Sequence, residues 1–411
     1  MSKDRQRVAI AGLGVISAIG NSVPEFFDSL VAGRSGVRRL PFSPDLVGAM
    51  AEFPADAHFT KMQQVGLDRF AQFALVATEE AVRDAGLDAT QLCGSRVGVY
   101  YGCGIGGALT IESSYRSYLD PTQQRVSPLS VVLTMPNAAA AHISLKYGIR
   151  GPSITCSVAC ASAAIAIGEA VRAIRDGYID VAIAGGAEAL LAPGIVAGWN
   201  AMRVLAPCDP DHPERSCRPF SLNRSGLVLG EGAGSLVLES EQHALGRGRD
   251  ATTQIVGYGI ASDAYHITKP SADGQAAAMR LALEDADLPP ESIGYINAHG
   301  TATRLGDVVE TTAIGQVFGH DAPRIPVSST KALHGHLLGG SGAVEFIATV
   351  MALRTGTVPP TSHLDTPDPE CDLDYVPNFA RQVDRIGAAM SNSFAFGGTN
   401  AVLIAQSMQD A

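Results

Sequence analysis

The 411-residue chain reads as an α/β protein made of two copies of one folding unit. Three observations carry that expectation. A helical stretch over 68–86 ends in Asp84-Ala85-Gly86-Leu87, and a strand over 96–101 then runs into Gly102-Cys103-Gly104-Ile105-Gly106-Gly107. The same order returns later: a helix over 274–287 ends in Asp285-Ala286-Asp287-Leu288, and the strand Gly294-Tyr295-Ile296-Asn297 leads into Ala298-His299-Gly300. Each half then has a strand feeding a turn and a helix of small residues. In the first half 153–155 runs into Cys160 and 161–175; in the second, 326–329 runs into Lys331, His336 and 343–354.

The first expected strand, Val8-Ala9-Ile10-Ala11-Gly12-Leu13-Gly14, is apolar and enters a glycine turn. Its GxG lacks the third glycine and the downstream acidic residue of a dinucleotide site. The run Asp180-Val181-Ala182-Ile183-Ala184-Gly185-Gly186 is apolar enough for a strand covered on both faces. The halves are expected to meet near residue 250, as units 1–250 and 251–411. There Arg247-Gly248-Arg249-Asp250 separates a strand over 236–238 from one over 254–258.

Composition excludes several function classes. A net charge of −11 with no Lys/Arg-rich run argues against nucleic acid as a partner. No apolar stretch is long enough to span a membrane, and the opening residues do not read as a secretory signal. The seven cysteines are odd in number and irregularly spaced, which suits reduced thiols in a cytoplasm. Cys156 and Cys160 have no second Cys/His pair at zinc spacing, so no metal is expected. A 46% hydrophobic, 17% charged composition suits a compact chain that also buries a subunit interface.

Three separated stretches carry candidate chemistry: Val158-Ala159-Cys160-Ala161-Ser162, Asn297-Ala298-His299-Gly300-Thr301-Ala302-Thr303 and Lys331-Ala332-Leu333-His334-Gly335-His336. Cys160 is expected at a helix N-terminus, where free N–H groups and the dipole favour a thiolate and can hold an oxyanion. Taken alone it would read as a packed core cysteine; the two histidine motifs tip the balance. His299 and His336, in Gly-flanked turns, can donate N–H bonds to a developing enolate. Lys331 and Glu345 are expected to pair in the interior, because an unpaired buried ammonium is costly. His334 reads as packing or surface. Asn392-Ser393-Phe394-Ala395-Phe396-Gly397-Gly398-Thr399-Asn400 offers a glycine-hinged aromatic plug that could gate a channel.

Together these motifs resemble the β-ketoacyl–acyl carrier protein synthases, condensing enzymes of the thiolase-like superfamily. The likeness is greatest to the synthase II type, including type II polyketide ketosynthases. It runs from Val8 to about Leu403 and includes Gly12-Leu13-Gly14, 102–107, Arg218-Pro219-Phe220 with 226–232, and Ser262-Asp263-Ala264-Tyr265-His266-Ile267-Thr268. The resemblance implies a five-layered αβαβα fold and a dimer, either of identical chains or with a chain-length-factor-like homologue. It implies decarboxylative condensation of an acyl thioester on Cys160 with malonyl–acyl carrier protein. His299 and His336 would act on the extender, with Lys331 and Glu345 in support. It places the oxyanion hole at the N–H groups of Cys160 and Phe396, with substrate contacts at Thr301, Thr303, Ile105, Trp199, Phe394 and Phe396. No cofactor is implied beyond the phosphopantetheine of the carrier. Departures are Ala395 and Ala163 at usual glycine positions, Trp199 near the channel mouth, and a thin docking patch. Val65, Gly66 and Cys208 replace typically basic residues there, leaving Lys61, Arg69, Arg125 and Arg203. These departures lean toward a specialised polyketide or polyene pathway over primary fatty-acid elongation.

Overall fold

The computed structural model describes residues 5–249 and 252–408. The expected 250/251 boundary lies outside the described residues. Five strands of the first half are β1 (Val8–Ile16), β2 (Val97–Gly102), β3 (Ser153–Cys156), β4 (Val181–Ala189) and β5 (Leu229–Ser240). Five of the second are β6 (Thr253–Ser262), β7 (Ile293–Asn297), β8 (Val327–Ser328), β9 (Ala388–Phe394) and β10 (Thr399–Ser407). They lie side by side as β3-β2-β4-β5-β1 and β8-β7-β9-β10-β6, one strand order written twice. Directions repeat too. The two pairs at the outer end of each set are parallel and the two at the inner end antiparallel. The sets meet where β1 and β6 pair antiparallel, Val8 opposite Ile255 and Ala9 opposite Gln254.

Helices fill three layers around them. α1 (Arg69–Ala85) covers the outer face of the first sheet, while α3 (Ala272–Ala286), with α4 (Arg304–Phe318) beside it, covers the second. Between the sheets lie α2 (Ser162–Arg175) and α5 (Ser341–Thr355), packed on each other and on strands of both halves. This is the expected αβαβα layering. The central helices are almost wholly buried, which explains why they read as small-residue runs without a polar face.

The repeated Asp-Ala-x-Leu signature is a helix C-cap. Gly86 and Asp287 both adopt left-handed backbone, with φ of +65° and +54°. The Leu87 N–H donates to the Val82 carbonyl and that of Leu288 to the Leu283 carbonyl, each at 3.1 Å, closing the last turn in the same way. The aspartates repeat as well. Asp84 accepts from the Leu13 N–H of β1 and Asp285 from the Tyr258 N–H of β6, each at 3.0 Å and each at the sixth residue of its strand.

The GxG of β1 also has its counterpart, Gly257-Tyr258-Gly259 in β6. A Cβ at Gly14 would lie 1.9 Å from the Ala77 carbonyl oxygen, and one at Gly259 would lie 2.1 Å from that of Ala278. These glycines let α1 and α3 rest directly on the strands, so a packing requirement accounts for a motif that resembles a nucleotide site. Because backbone cannot retreat as a side chain can, Gly14→Ala is expected to destabilise the fold by about 1–3 kcal/mol or more. A thermal or urea melt would register the loss, and Gly259→Ala should behave alike.

Candidate active site

The candidate residues lie where strands give way to turns facing the space between the halves. β3 ends at Cys156, and the chain turns through Val158 into a short 3-10 turn, Ala159–Ala161, before α2 begins. Ala159 has φ +43°, a strained value for a residue with a side chain. The turn is held by Ser162, whose hydroxyl accepts from the Val158 N–H at 2.8 Å and donates to the Ala159 carbonyl at 2.7 Å. Cys160 therefore sits one turn ahead of the α-helix, not at its first residue.

The second half delivers the histidines. His299 follows β7, and its backbone N–H and that of Gly300 donate to the two carboxylate oxygens of buried Glu310, each at 2.8 Å. His336 lies between β8 and α5, with its N–H on the Val228 carbonyl at 2.7 Å. The two rings stand nearly perpendicular, 86° apart with centroids at 5.4 Å. His336 Nε2 is 3.0 Å from the Cys160 sulfur. One nitrogen of each ring and the sulfur lie within 4.8 Å of one another.

Lys331 organises this group from behind. Its ammonium, 1% exposed, pairs with Glu345 at 2.6 Å, donates to the His299 carbonyl at 2.6 Å, and meets His299 Nδ1 at 3.4 Å. An ammonium only donates, so Nδ1 must accept and the His299 proton resides on Nε2. Nε2 is therefore the ring nitrogen left free to donate. The tautomer also bears on metals: a thiol and two imidazoles at this spacing could hold one, but an Nε2–H donates and does not ligate.

Burial sets the protonation states. It holds both His299 and His336 well below the usual imidazole range, with Lys331 adding to the effect, so both rings are neutral. Burial also pushes the Cys160 thiol up to about 12, against N–H groups of Phe396 and Cys160 directed at the sulfur and the attraction of Lys331. The expected resting thiolate is thus corrected, because desolvation outweighs the helix terminus. The sulfur must lose its proton as it reacts, and His336 Nε2 is the base in reach.

A residue that spacing did not single out prepares His336. Ser341 accepts from the Leu337 N–H at 2.8 Å, and its hydroxyl lies 2.8 Å from His336 Nδ1. With one lone pair and one proton left, that hydroxyl can accept from Nδ1–H or donate to a bare Nδ1. Only the close geometry reveals it, since a serine near a glycine pair carries no signal in sequence.

Other expectations divide. A cavity of about 250 Å³ reaches the cysteine and both histidines, and Thr301, Thr303, Trp199, Phe394 and Phe396 line it. The Thr301 and Thr303 hydroxyls bond each other at 3.1 Å, and Trp199 stacks on Phe396 with centroids 5.9 Å apart. Residues 394–400 are tied to the 263–271 loop through Gly397 N–H to the Ile267 carbonyl and Asp263 N–H to the Gly398 carbonyl, both at 2.7 Å. Ile105 is not on this cavity. It lies behind the nucleophile turn, packed on the central core. His334 is a core residue, its Nε2 bonded to Thr330 at 2.9 Å and its ring 6.0 Å from Phe26.

Family models match along the chain: "Beta-ketoacyl synthase, N-terminal domain" over residues 5–244, and "Beta-ketoacyl synthase, C-terminal domain" over 252–365. The chain belongs to the β-ketoacyl synthase family. It is 42% identical to 3-oxoacyl-[acyl-carrier-protein] synthase 2 of Staphylococcus aureus (strain COL), with 98% of this chain and 99% of the relative covered. Its fold matches the ishigamide ketosynthase/chain length factor with a TM-score of 0.91, at 34% identity and coverage of 98% and 99%. It also matches, at a TM-score of 0.90 and 30% identity, a type II polyketide synthase structure of an acyl-carrier protein with its ketosynthase bound to the hexaketide, with coverage of 98% and 100%.

For a β-ketoacyl synthase, the cations expected to meet a carrier are unequally available. Arg69 is withdrawn: its guanidinium forks onto Glu231 at 2.7 and 3.0 Å, bonds the Ala51 carbonyl and lies over the Phe73 ring. Burying Glu231 needs that countercharge, so the arginine serves the interior. Lys61 is exposed but paired with Asp56 at 2.7 Å. Arg125 and Arg203 are exposed, and Lys269, which the sequence reading passed over, lines the cavity mouth.

The Ser341 contact yields a test. Ser341→Ala strands His336 Nδ1 in a dry site and weakens the base facing Cys160. Leaving such a group unpartnered costs about 1–3 kcal/mol, so alkylation of Cys160 by iodoacetamide should slow about tenfold. The melting temperature should also fall, by a few degrees, because the Leu337 N–H loses its partner too.

Proposed function

We propose that the chain catalyses decarboxylative condensation of a Cys160-bound acyl group with malonyl–acyl carrier protein. The supporting observation is that both imidazoles have Nδ1 occupied, by Lys331 or Ser341, which leaves Nε2 of each free, that of His336 lying 3.0 Å from the Cys160 sulfur. In the first half-reaction the sulfur attacks the carrier thioester while His336 Nε2 takes the thiol proton and passes it to the departing carrier thiolate. In the second, the malonyl C–C bond breaks to release CO2, and its electron pair becomes an enolate. Neutral His299 donates its Nε2–H to the enolate oxygen, and His336 does the same in its other tautomer, with the proton moved to Nε2 and the bare Nδ1 accepting from the Ser341 hydroxyl. The enolate carbon then attacks the acyl carbonyl, whose oxygen is held by the N–H groups of Cys160 and Phe396. Cys160 departs as a thiolate, which takes a proton from solvent water by way of His336, leaving a β-ketoacyl carrier. Phosphopantetheine would pass between Thr301, Thr303 and Trp199, with Phe396 as gate.

The partners follow from surface chemistry. Among the described residues sheet edge β3 is paired on one side only, and Ile154 there is 44% exposed; Tyr115, Tyr118, Val131 and Leu145 of the same half are exposed as well. An open strand edge in a half that exposes apolar side chains suits a second chain of this fold, either identical or a chain-length-factor-like homologue. Lys269 on the cavity lining, with exposed Arg203 between the lining residues Met202 and Val204, suits an acidic carrier protein, a local attraction on a chain of net charge −11. Seven free cysteines suit a reducing cytoplasm. The Trp199–Phe396 stack narrows the entrance and favours a specialised polyketide or polyene pathway. The 42% identity to a 3-oxoacyl-[acyl-carrier-protein] synthase 2 favours primary fatty-acid elongation as the second reading.

Two variants separate the half-reactions. Cys160→Ala should give no covalent adduct with labelled acyl–carrier protein and no condensation. His299→Ala should still load acyl groups within about threefold of the parent, yet release no CO2 from malonyl–carrier protein. Condensation by Cys160→Ala, or undiminished CO2 release by His299→Ala, would refute the assignment. Ordinary long saturated products from the parent enzyme would remove the specialised pathway.

A further inference from the structure

One buried carboxylate has no part in the chemistry above. Glu188, in β4, is 0% exposed and among its bonded partners there is no cation. Its Oε2 accepts from the Gly104 N–H at 2.6 Å and the Gly339 N–H at 3.1 Å. Its Oε1 accepts from the Ile105 N–H at 3.1 Å, with the Cys103 thiol at 3.6 Å. A carboxylate buried away from water and cations is costly, so its bonds are expected to secure something.

What it joins are two segments far apart in the chain. Gly104 and Ile105 belong to the loop after β2, behind the nucleophile. Gly339 belongs to the turn that begins at His336. The loop is also tied to the nucleophile strand, by the Cys103 N–H on the Cys156 carbonyl at 3.0 Å and by Ser157 on the Gly104 carbonyl at 3.3 Å. The two segments touch without slack. A Cβ at Gly339 would fall 2.3 Å from the Gly104 nitrogen, and one at Gly104 would fall 2.7 Å from a Leu338 methyl. Leu338 holds φ +47°, so the turn is strained where it meets the loop.

We propose that Glu188 is a positioning residue that locks the Ile105 loop to the His336 turn, so that the fit of the acyl chain sets the alignment of the histidine acting on the extender. The proposal rests on the condensing reading and on an acyl chain that extends beyond the open cavity to the Ile105 loop, as the family resemblance implies. An acyl chain that displaces Ile105 pulls, through one carboxylate, on Gly339 and the turn carrying His336. Chain length is thereby sensed at the decarboxylation centre and not only by the depth of the pocket. Burial pushes the Glu188 carboxyl up to about 7, the expected consequence of a site held only by neutral donors.

Glu188→Gln tests this with little change of shape. The amide keeps one acceptor oxygen but turns an NH2 toward a backbone N–H, so one arm of the lock must open. Condensation rates would be compared for short (C4) and long (C12) acyl–carrier proteins, together with Cys160 loading and the melting temperature. The expected result is a change of at least tenfold in the long-to-short ratio of kcat for condensation, with loading of the short acyl group within about threefold of the parent. Leu338→Ala removes the apolar side of the same contact and should shift the ratio in the same direction, which covers the case in which Glu188→Gln fails to fold. A fall by one common factor at both lengths, or an unchanged ratio in Leu338→Ala, would overturn the proposal. Ile105→Phe is the control: if it leaves product length unchanged, the placement of the acyl chain is at fault and not the lock.

Discussion

The buried ammonium of Lys331 is the constraint on which the site depends. It is paired with Glu345 and bonded to the carbonyl and Nδ1 of His299, so it fixes that residue's backbone, ring and tautomer together. Its charge also helps hold both imidazoles neutral, which in the proposed reaction would let them donate to an enolate without carrying a proton that would quench it. Such a charge is tolerable in the interior because Glu345, itself raised to about 7 by burial, answers it at contact distance.

Duplication explains how residues so distant in sequence converge. Cys160 precedes α2 and His336 precedes α5, the equivalent central helices of the two halves, and these helices pack on each other. The His299 turn follows β7 as the Ile105 loop follows β2. One unit written twice thus supplies the Cys160 and His336 turns from one kind of junction, and the His299 turn and the Ile105 loop from another. The repeated caps, aspartates and glycines hold the outer helices in register in both halves, so the turns at the strand ends meet.

Much of this was legible in sequence because it rests on periodicity and turn chemistry. The buried strands, small-residue helices and Gly-flanked histidines leave patterns within a few residues. What was not legible depends on contacts between distant segments. Arg69 looked like a surface cation until its partner, Glu231, was placed beside it. Cys160 looked like a helix-start thiolate, but full burial raises its thiol instead. Ser341, Glu310 and Glu188 act through two or three hydrogen bonds each to backbone or ring nitrogens. No local motif announces such bonds.

The most direct test of the central claim is the tautomer of His299. In 15N-histidine-labelled protein, the ring nitrogen shifts assigned through His299→Ala should report a neutral ring with the proton on Nε2 across pH 6–8. In Lys331→Met that preference should be lost along with CO2 release from malonyl–carrier protein. A His299 ring that is protonated on Nδ1 or charged in the parent enzyme, or one whose tautomer is indifferent to Lys331, would contradict the account.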